Sequence, residues 1–531
     1  MRPHRLLGPI RIAALAFGAI VATTAITRSA TSELADRAKQ AHLAGTPGYG
    51  KAISLIDVDG DGWEDVWDSN TNKAPASKTR PSSSRFFLNQ KDGTFKPYDL
   101  GISDEDLEFT WGAAWADFDN DGDPDLLLAS GGFLGDGALS LYENRWREMK
   151  KLVKISAGIT TEKHHWWNAS WADFDNDGCL DFAAIDGRGR AWIYRNGCDK
   201  TFREVARKLG IVGRFKDGKN PVWFDIDNDG DQDLYIAASR YHRLYRNDGE
   251  AGFVNVTRNL GGKFEPLPLV FAALAADFNR DGNLDLYLGR QASQDLIAFG
   301  RGDGTFQRAG KRIGIETKLY PDTSENTMGL GVGDIDNDGD LDVLIGTGGP
   351  DHANFDFAFC SRPSTEGAFG VAFDRCGAFA RSHGETQTHG IAVGDLDQDG
   401  SNDVVFNLGG SPGFDAKSGA DSRGLNTLYS HKGGNADTAQ IRLRGVDSNR
   451  DAIGARIEVT VSPKEGPAQI FHYSVQSSQG FQSQNSSWQL IRLMGSKQAE
   501  VKIRWPSGRR TEHAIRAGER KILLERSTER K

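Results

Sequence analysis

Asp225–Asp233 reads DIDNDGDQD and runs directly into the apolar segment LYIAA. Carboxylates stand at loop positions 1, 3, 5 and 9, glycine at 6, and a backbone carbonyl is available at 7. This oxygen spacing wraps a hard cation such as Ca²⁺. Six more copies follow the same pattern: DVDGDGWED from Asp57, DFDNDGDPD from Asp117, DFDNDGCLD from Asp173, DFNRDGNLD from Asp277, DIDNDGDLD from Asp334 and DLDQDGSND from Asp395. One Asp/Gly-rich turn arises easily by chance, but seven at separations of 60, 56, 52, 52, 57 and 61 residues mark a repeat architecture.

Each repeat has one order: a small-residue apolar stretch such as TWGAAWA, the acidic loop, a β-rich run such as LLLAS, LYIAA or VLIGT, and a further strand ending near Asn and Gly. A unit of about 55 residues with four short strands is a propeller blade. The expected fold is therefore all-β: a seven-bladed calcium-binding β-propeller over residues 48–432, followed by a small C-terminal β domain over 435–526. In that tail IRLRG, ARIEVTV, FHYSV, LIRLM, VKIRW and KILLE are strand-like, and acidic loops are absent.

The competing loop is the EF-hand, which requires a bidentate Glu at position 12 and flanking helices. Position 12 holds Asp68, Leu128, Ala184, Ile236, Leu288, Ile345 and Phe406, and the flanks are β-branched or aromatic, so the EF-hand is excluded. The expected metal ligands, one Ca²⁺ per blade, are Asp57, Asp59, Asp61 and Asp65; Asp117, Asp119, Asp121 and Asp125; Asp173, Asp175, Asp177 and Asp181; Asp225, Asp227, Asp229 and Asp233; Asp277, Asn279, Asp281 and Asp285; Asp334, Asp336, Asp338 and Asp342; and Asp395, Asp397, Asp399 and Asp403. The fifth loop, with Asn279 and Asn283, is expected to bind most weakly. A structural role is expected, because the cation neutralises carboxylates that would otherwise splay the hairpin.

At 531 residues, with 38% hydrophobic and 26% charged residues, the chain exceeds one ordinary domain. The net charge of −9 divides into about +8 from residue 421 onward and about −17 before it. The negative propeller argues against nucleic acid as a partner.

Arg2, Arg5 and Arg11 precede an apolar run from about Ile12 to Ile26, the order of a secretory signal. Residues 1–31 read as a signal peptide or an uncleaved N-terminal anchor, and the expected location is secreted, periplasmic or cell-surface. Membrane contact is expected only through that segment. The cysteines, Cys179, Cys198, Cys360 and Cys376, are even in number, which fits two disulfides in an exported chain. Three connectivities exist, and Cys179 to Cys198 with Cys360 to Cys376 closes short local loops.

Ser32 to Gly45 reads as a helical or irregular lead-in, and Gly348 to Ser382 as an insertion in the sixth unit. Arg301-Gly302-Asp303 occupies the slot that other units fill with Asn-x-Asp-Gly, and it reads as a turn of the repeat rather than an adhesion tripeptide.

The repeats resemble the FG-GAP or VCBS repeats of integrin α-type propellers. NRDAIGARIEV at Asn449, SSQGFQSQ at Ser477 and IRWPSG at Ile503 resemble the ASPIC/UnbV domain. The order of propeller then tail is similar to the cartilage acidic protein family and its bacterial relatives. The resemblance implies an exported calcium-binding protein with adhesion or interaction roles. The chain departs from the usual tail motif at Gly480-Phe481, where Gly-Tyr is customary.

Six residues before each loop stand Lys51, Trp111, Trp167, Lys219, Phe271, Met328 and His389. If the innermost strand of each blade leads into its loop, these residues gather near the axis on the face away from the metals. They are either packing between blades or a ligand face, with Trp111, Trp167 and His389 its candidate contacts. No catalytic signature stands clear of the repeats, so no catalytic residue is assigned. The leading expectation is a non-enzymatic interaction protein whose partner is an extracellular or envelope protein or a glycan. The alternatives are a polysaccharide lyase or hydrolase using the axial face with His389, and a basic tail that engages anionic glycans or an envelope surface.

Overall fold

The computed structural model describes residues 34–45, 47–70, 85–107, 110–132, 135–261, 269–291, 293–309, 313–315, 326–348, 353–366, 368–376, 385–410, 423–431, 433–464 and 466–526. The expected signal or anchor, residues 1–31, lies outside them. Among the described residues the repeats form seven antiparallel sheets, each with four strands of the propeller. In blade 3, Trp166–Ala172, Asp181–Asp186, Ala191–Asn196 and Phe202–Glu204 pair in chain order. The innermost strands are Gly50–Ile56, Thr110–Ala116, Trp166–Ala172, Lys216–Phe224, Val270–Ala276, Thr327–Gly333 and Thr388–Gly394. Each contacts the next, and the last contacts the first, so the sheets close into a β-propeller. Packed against neighbours on both sides, these strands have no solvent face, which explains their small apolar composition and absent alternation.

Aromatic stacking joins the blades. Phe118, at loop position 2 of blade 2, stacks on Trp171 of blade 3 at 6.1 Å between centroids, and Phe174 of blade 3 stacks on Trp223 of blade 4 at the same distance.

The structure corrects two readings. Within the lead-in, Ala35–Asp36 is a strand pairing with Thr427–Ser430, so the N-terminal side of the chain supplies the outermost strand of blade 7. The stretch read as an insertion in unit six contains Phe357–Pro363 and Val371–Cys376, the two outer strands of blade 6. Asn354–Phe355, in the same stretch, pairs with Glu385–Thr386 in a separate two-stranded sheet.

The tail forms two sheets. One comprises Gln489–Arg492, Thr438–Arg444 and Arg520–Leu524, and the other Gln469–Ser474, Arg456–Val461, Gln498–Arg504 and Arg510–Arg516. Alternate residues Ile457, Val459 and Val461 face Val501, Ile503 and Trp505 in one buried core. The last of these strands, Arg510–Arg516, escaped the sequence reading because its composition is mostly polar.

Candidate functional site

The seven acidic loops share one geometry. A residue in the left-handed region stands at position 4 of each, such as Asn120, Asn176 and Asn228, and position 6 is a positive-φ glycine. The position 9 carboxylate braces the turn. Asp125 accepts the Phe118 N–H on Oδ2 at 3.2 Å and the Asn144 N–H on Oδ1 at 2.8 Å, and Asp181 and Asp233 repeat the pair with Phe174 and Asn196, and with Ile226 and Asn247. In six loops the position 6 glycine donates to Oδ2 of the first aspartate, as Gly122 does to Asp117 at 2.8 Å.

The donor set is entirely oxygen, which suits a hard divalent cation. Buried Oδ1 atoms of Asp57, Asp173 and Asp225 carry no hydrogen bond, and the carboxylates of Asp57, Asp59 and Asp61 lie within reach of a common ion. Burial, then neighbouring carboxylates, pushes pKa values up: Asp117 and Asp334 to about 8, Asp173, Asp277 and Asp395 to about 7, and Asp233 to about 9. Without added positive charge these groups resist ionisation. Both local disulfides are formed, Cys179–Cys198 fastening the third loop and Cys360–Cys376 joining the outer strands of blade 6.

Sequence reasoning noted the asparagine ending the third strand but gave it no role. Asn89, Asn144, Asn196 and Asn247 each donate Nδ2 to the position 2 carbonyl of the preceding blade's loop, at Leu396, Val58, Phe118 and Phe174, over 2.7–3.0 Å. Their recurrence in LNQKDG, ENR, RNG and RND was the available signal.

The residues six before each loop do meet at the axis. In blades 2 to 7 that residue falls at the register shift of the innermost strand, where a bulge turns it out of the ladder. Trp111 meets Trp167 at 4.7 Å and His389 at 6.1 Å between centroids, Lys51 Nζ lies 4.9 Å from the Trp111 ring centroid, and Lys219 Nζ lies 3.1 Å from that of Trp167. Burial pushes the Lys51 ammonium down to about 7.

Of the two readings of these positions, packing and ligand face, burial favours packing: Trp111, Trp167 and His389 are all buried, and Phe481 of the tail shares the cluster of Trp111 and Trp167. Phe481, fully buried, lies 4.8 Å from Phe271 and 6.3 Å from His389 between centroids. The segment 476–487 threads the axis. Gln476 donates to the Ala275 carbonyl, Ser477 to Trp171, Gln482 to Trp167, Gln484 to Trp115 and Asn485 to Val332, while Ser483–Gln484 pairs in parallel with Ile53 and Ser54. Blades 2, 3, 5 and 6 thus receive a donated bond, and blade 1 a strand. Gly480 is required at the tip, where φ is +119° and a Cβ would stand 2.2 Å from the Leu330 carbonyl oxygen.

The basic tail also covers the acidic loops. Arg442 approaches Asp57 at 3.8 Å and Arg450 approaches Asp117 at 3.5 Å; Asn449 donates to Asp173 at 3.4 Å, and Arg504 and Gln440 donate to Asp225 and Asp395. Arg456 and Arg520 reach the loop carbonyls of Gly282 and Gly62 at 2.7 and 2.5 Å. Three of the tail's arginines, Arg442, Arg450 and Arg504, therefore face carboxylates of the acidic loops.

A closed ring of β-sheets bearing acidic loops, capped by a β domain, defines the class of repeat propeller with a C-terminal cap. The FG-GAP-like repeat model matches residues 57–128, 173–236, 225–288 and 277–345, and the ASPIC and UnbV model matches 445–531. The chain carries FG-GAP-like repeats and an ASPIC and UnbV domain. It is 24% identical to cartilage acidic protein 1 of Xenopus tropicalis over 318 residues, 56% of this chain and 48% of that one, and 22% identical to the Homo sapiens protein over 313 residues, 56% and 47% respectively. The chain spans about half the length of the curated relatives it matches. Among solved structures, YCF48 bound to D1 peptide aligns with a TM-score of 0.41 at 9% identity, covering 73% of this chain and 94% of that one. The periplasmic gluconolactonase PpgL of Pseudomonas aeruginosa gives 0.38 at 13%, covering 73% and 98%. Likeness at this level carries no argument.

Proposed function

We propose that the chain is an exported, calcium-stabilised propeller acting as an extracellular or envelope interaction protein whose partner is a protein or a glycan. The observation that carries the calcium reading is the recurrent all-oxygen loop whose first aspartate, in blades 1, 3 and 4, keeps a buried Oδ1 without a hydrogen bond. Calcium bound there supplies positive charge among carboxylates that burial otherwise holds towards their protonated form. The two disulfides and the similarity to cartilage acidic protein 1 support the extracellular reading. The burial of the axial residues favours partner binding at the outer blade edges. The polysaccharide-acting alternative needs an open axial face, where His389 is 2% exposed.

The test is calcium stoichiometry on the purified full chain, followed by glycan and protein arrays in calcium and in chelator. Five to seven ions per chain and calcium-dependent partner binding support the proposal. A chain that binds no calcium overturns the metal reading, and product formation lost on His389→Ala favours an enzyme.

A further inference from the structure

This inference rests on the calcium reading above. By sequence, blade 5 is the weakest site, and the full acidic complement of DIDNDGDQD gives blade 4 no handicap. The tail alters that ranking. In five blades a tail side chain approaches Oδ2 of the first aspartate, and in blades 1, 3 and 4 the Oδ1 of that same aspartate is buried and unbonded.

The five side chains are of two chemical kinds. Asn449 and Gln440 are neutral N–H donors, which orient a carboxylate without adding charge; losing such an outer partner typically costs a metal site about 10- to 100-fold in affinity. Arg442, Arg450 and Arg504 instead bring a positive charge to a carboxylate that the ion would share, and like charges held a few ångströms apart in a partly buried site repel. Arg504 makes the most direct contact. It occupies the Asp225 oxygen that the position 6 glycine amide holds in the other six loops, and it is anchored on Gln498–Arg504 and bonded to the Asn228 carbonyl at 2.8 Å. Lys91, Arg195 and Arg246 also pair with loop carboxylates, but they are 36–52% exposed and can swing into water, whereas Arg504 is 22% exposed.

We propose that the tail domain sets the order of calcium affinity among the blades, with blade 4 weakest because Arg504 shares Asp225, and blades 3 and 7 strengthened by Asn449 and Gln440. The loop with the fullest acidic set is thus the one whose ion competes with a fixed guanidinium.

The full-length protein is titrated with calcium against a chromophoric chelator, which resolves the successive binding constants. Arg504→Gln removes the charge while retaining an N–H donor, and the weakest constant should rise tenfold or more. Gln440→Leu should lower one of the tighter constants about tenfold. A weakest constant unchanged or lowered in folded Arg504→Gln overturns the proposal. If that variant loses its native circular dichroism, Arg450→Gln in blade 2 carries the test, with a rise expected and no rise overturning it. Wild type that binds no calcium overturns the metal reading itself; wild type that binds while Arg504→Gln changes nothing overturns this inference alone.

Discussion

Asn144 donates its side-chain amide to the carbonyl of Val58, 86 residues earlier and one blade back, at 3.0 Å, and also to the Pro124 carbonyl within its own blade. One side chain thus ties a loop to its own sheet and to the next sheet around the ring.

Replacing Asn144 with Ala leaves two buried carbonyls without that donor, at a cost of about 1–3 kcal/mol. Denaturant unfolding should show a lower midpoint with an unchanged slope. Asn196→Ala, which breaks the equivalent link between blades 2 and 3, should behave alike.

Phe481→Ala should be the more severe change, costing about 3–5 kcal/mol, because a fully buried ring is removed from the axis. Hydrogen exchange of amides in 476–487 should accelerate well beyond that of the blade strands. Equal acceleration throughout would mean that the axial segment has no separate seat.

Chelation should lower the thermal midpoint of the full chain, and the size of the fall should depend on pH. A carboxyl whose folded pKa stands above its unfolded value near 4 holds its proton more tightly when folded. Its contribution is therefore favourable below pH 4 and is lost as the pH rises towards the folded value. With Asp173, Asp277 and Asp395 at about 7 and Asp117 and Asp334 at about 8, the calcium-free protein should weaken between about pH 4 and 8. Calcium should flatten this trend, and its binding near pH 6 should release protons, measurable by calorimetry in buffers of different ionisation enthalpy.

Reducing Cys360–Cys376, which closes a separation of 16 residues, should cost about 3 kcal/mol, read as an earlier denaturation midpoint for the Cys360→Ser, Cys376→Ser double variant.

The acidic loops were legible because each position has its own chemical requirement, so position 12 alone could dismiss the EF-hand. The axial convergence was legible from strand direction, but not the bulges that produce it, since Trp111 or His389 looks the same in a regular strand. The axial segment was hidden for a physical reason: SSQGFQSQNSS bonds to backbone of several different strands, so it has neither helical nor strand period. Its polar composition shows no strand-like alternation, although its side chains donate to strand carbonyls around the axis. The closing strand Ala35–Asp36 spans two residues, too short to leave a pattern.

The pairing of Ala35–Asp36 with Thr427–Ser430 bears on how the protein is made. During synthesis the first partner of that pair emerges some 390 residues ahead of the second, and Phe481 follows later still. The ring is therefore left unsealed until residues 427–430 arrive, and its centre unfilled until 476–487 follow. A ribosome that stops short of residue 476 releases a wheel without its axle.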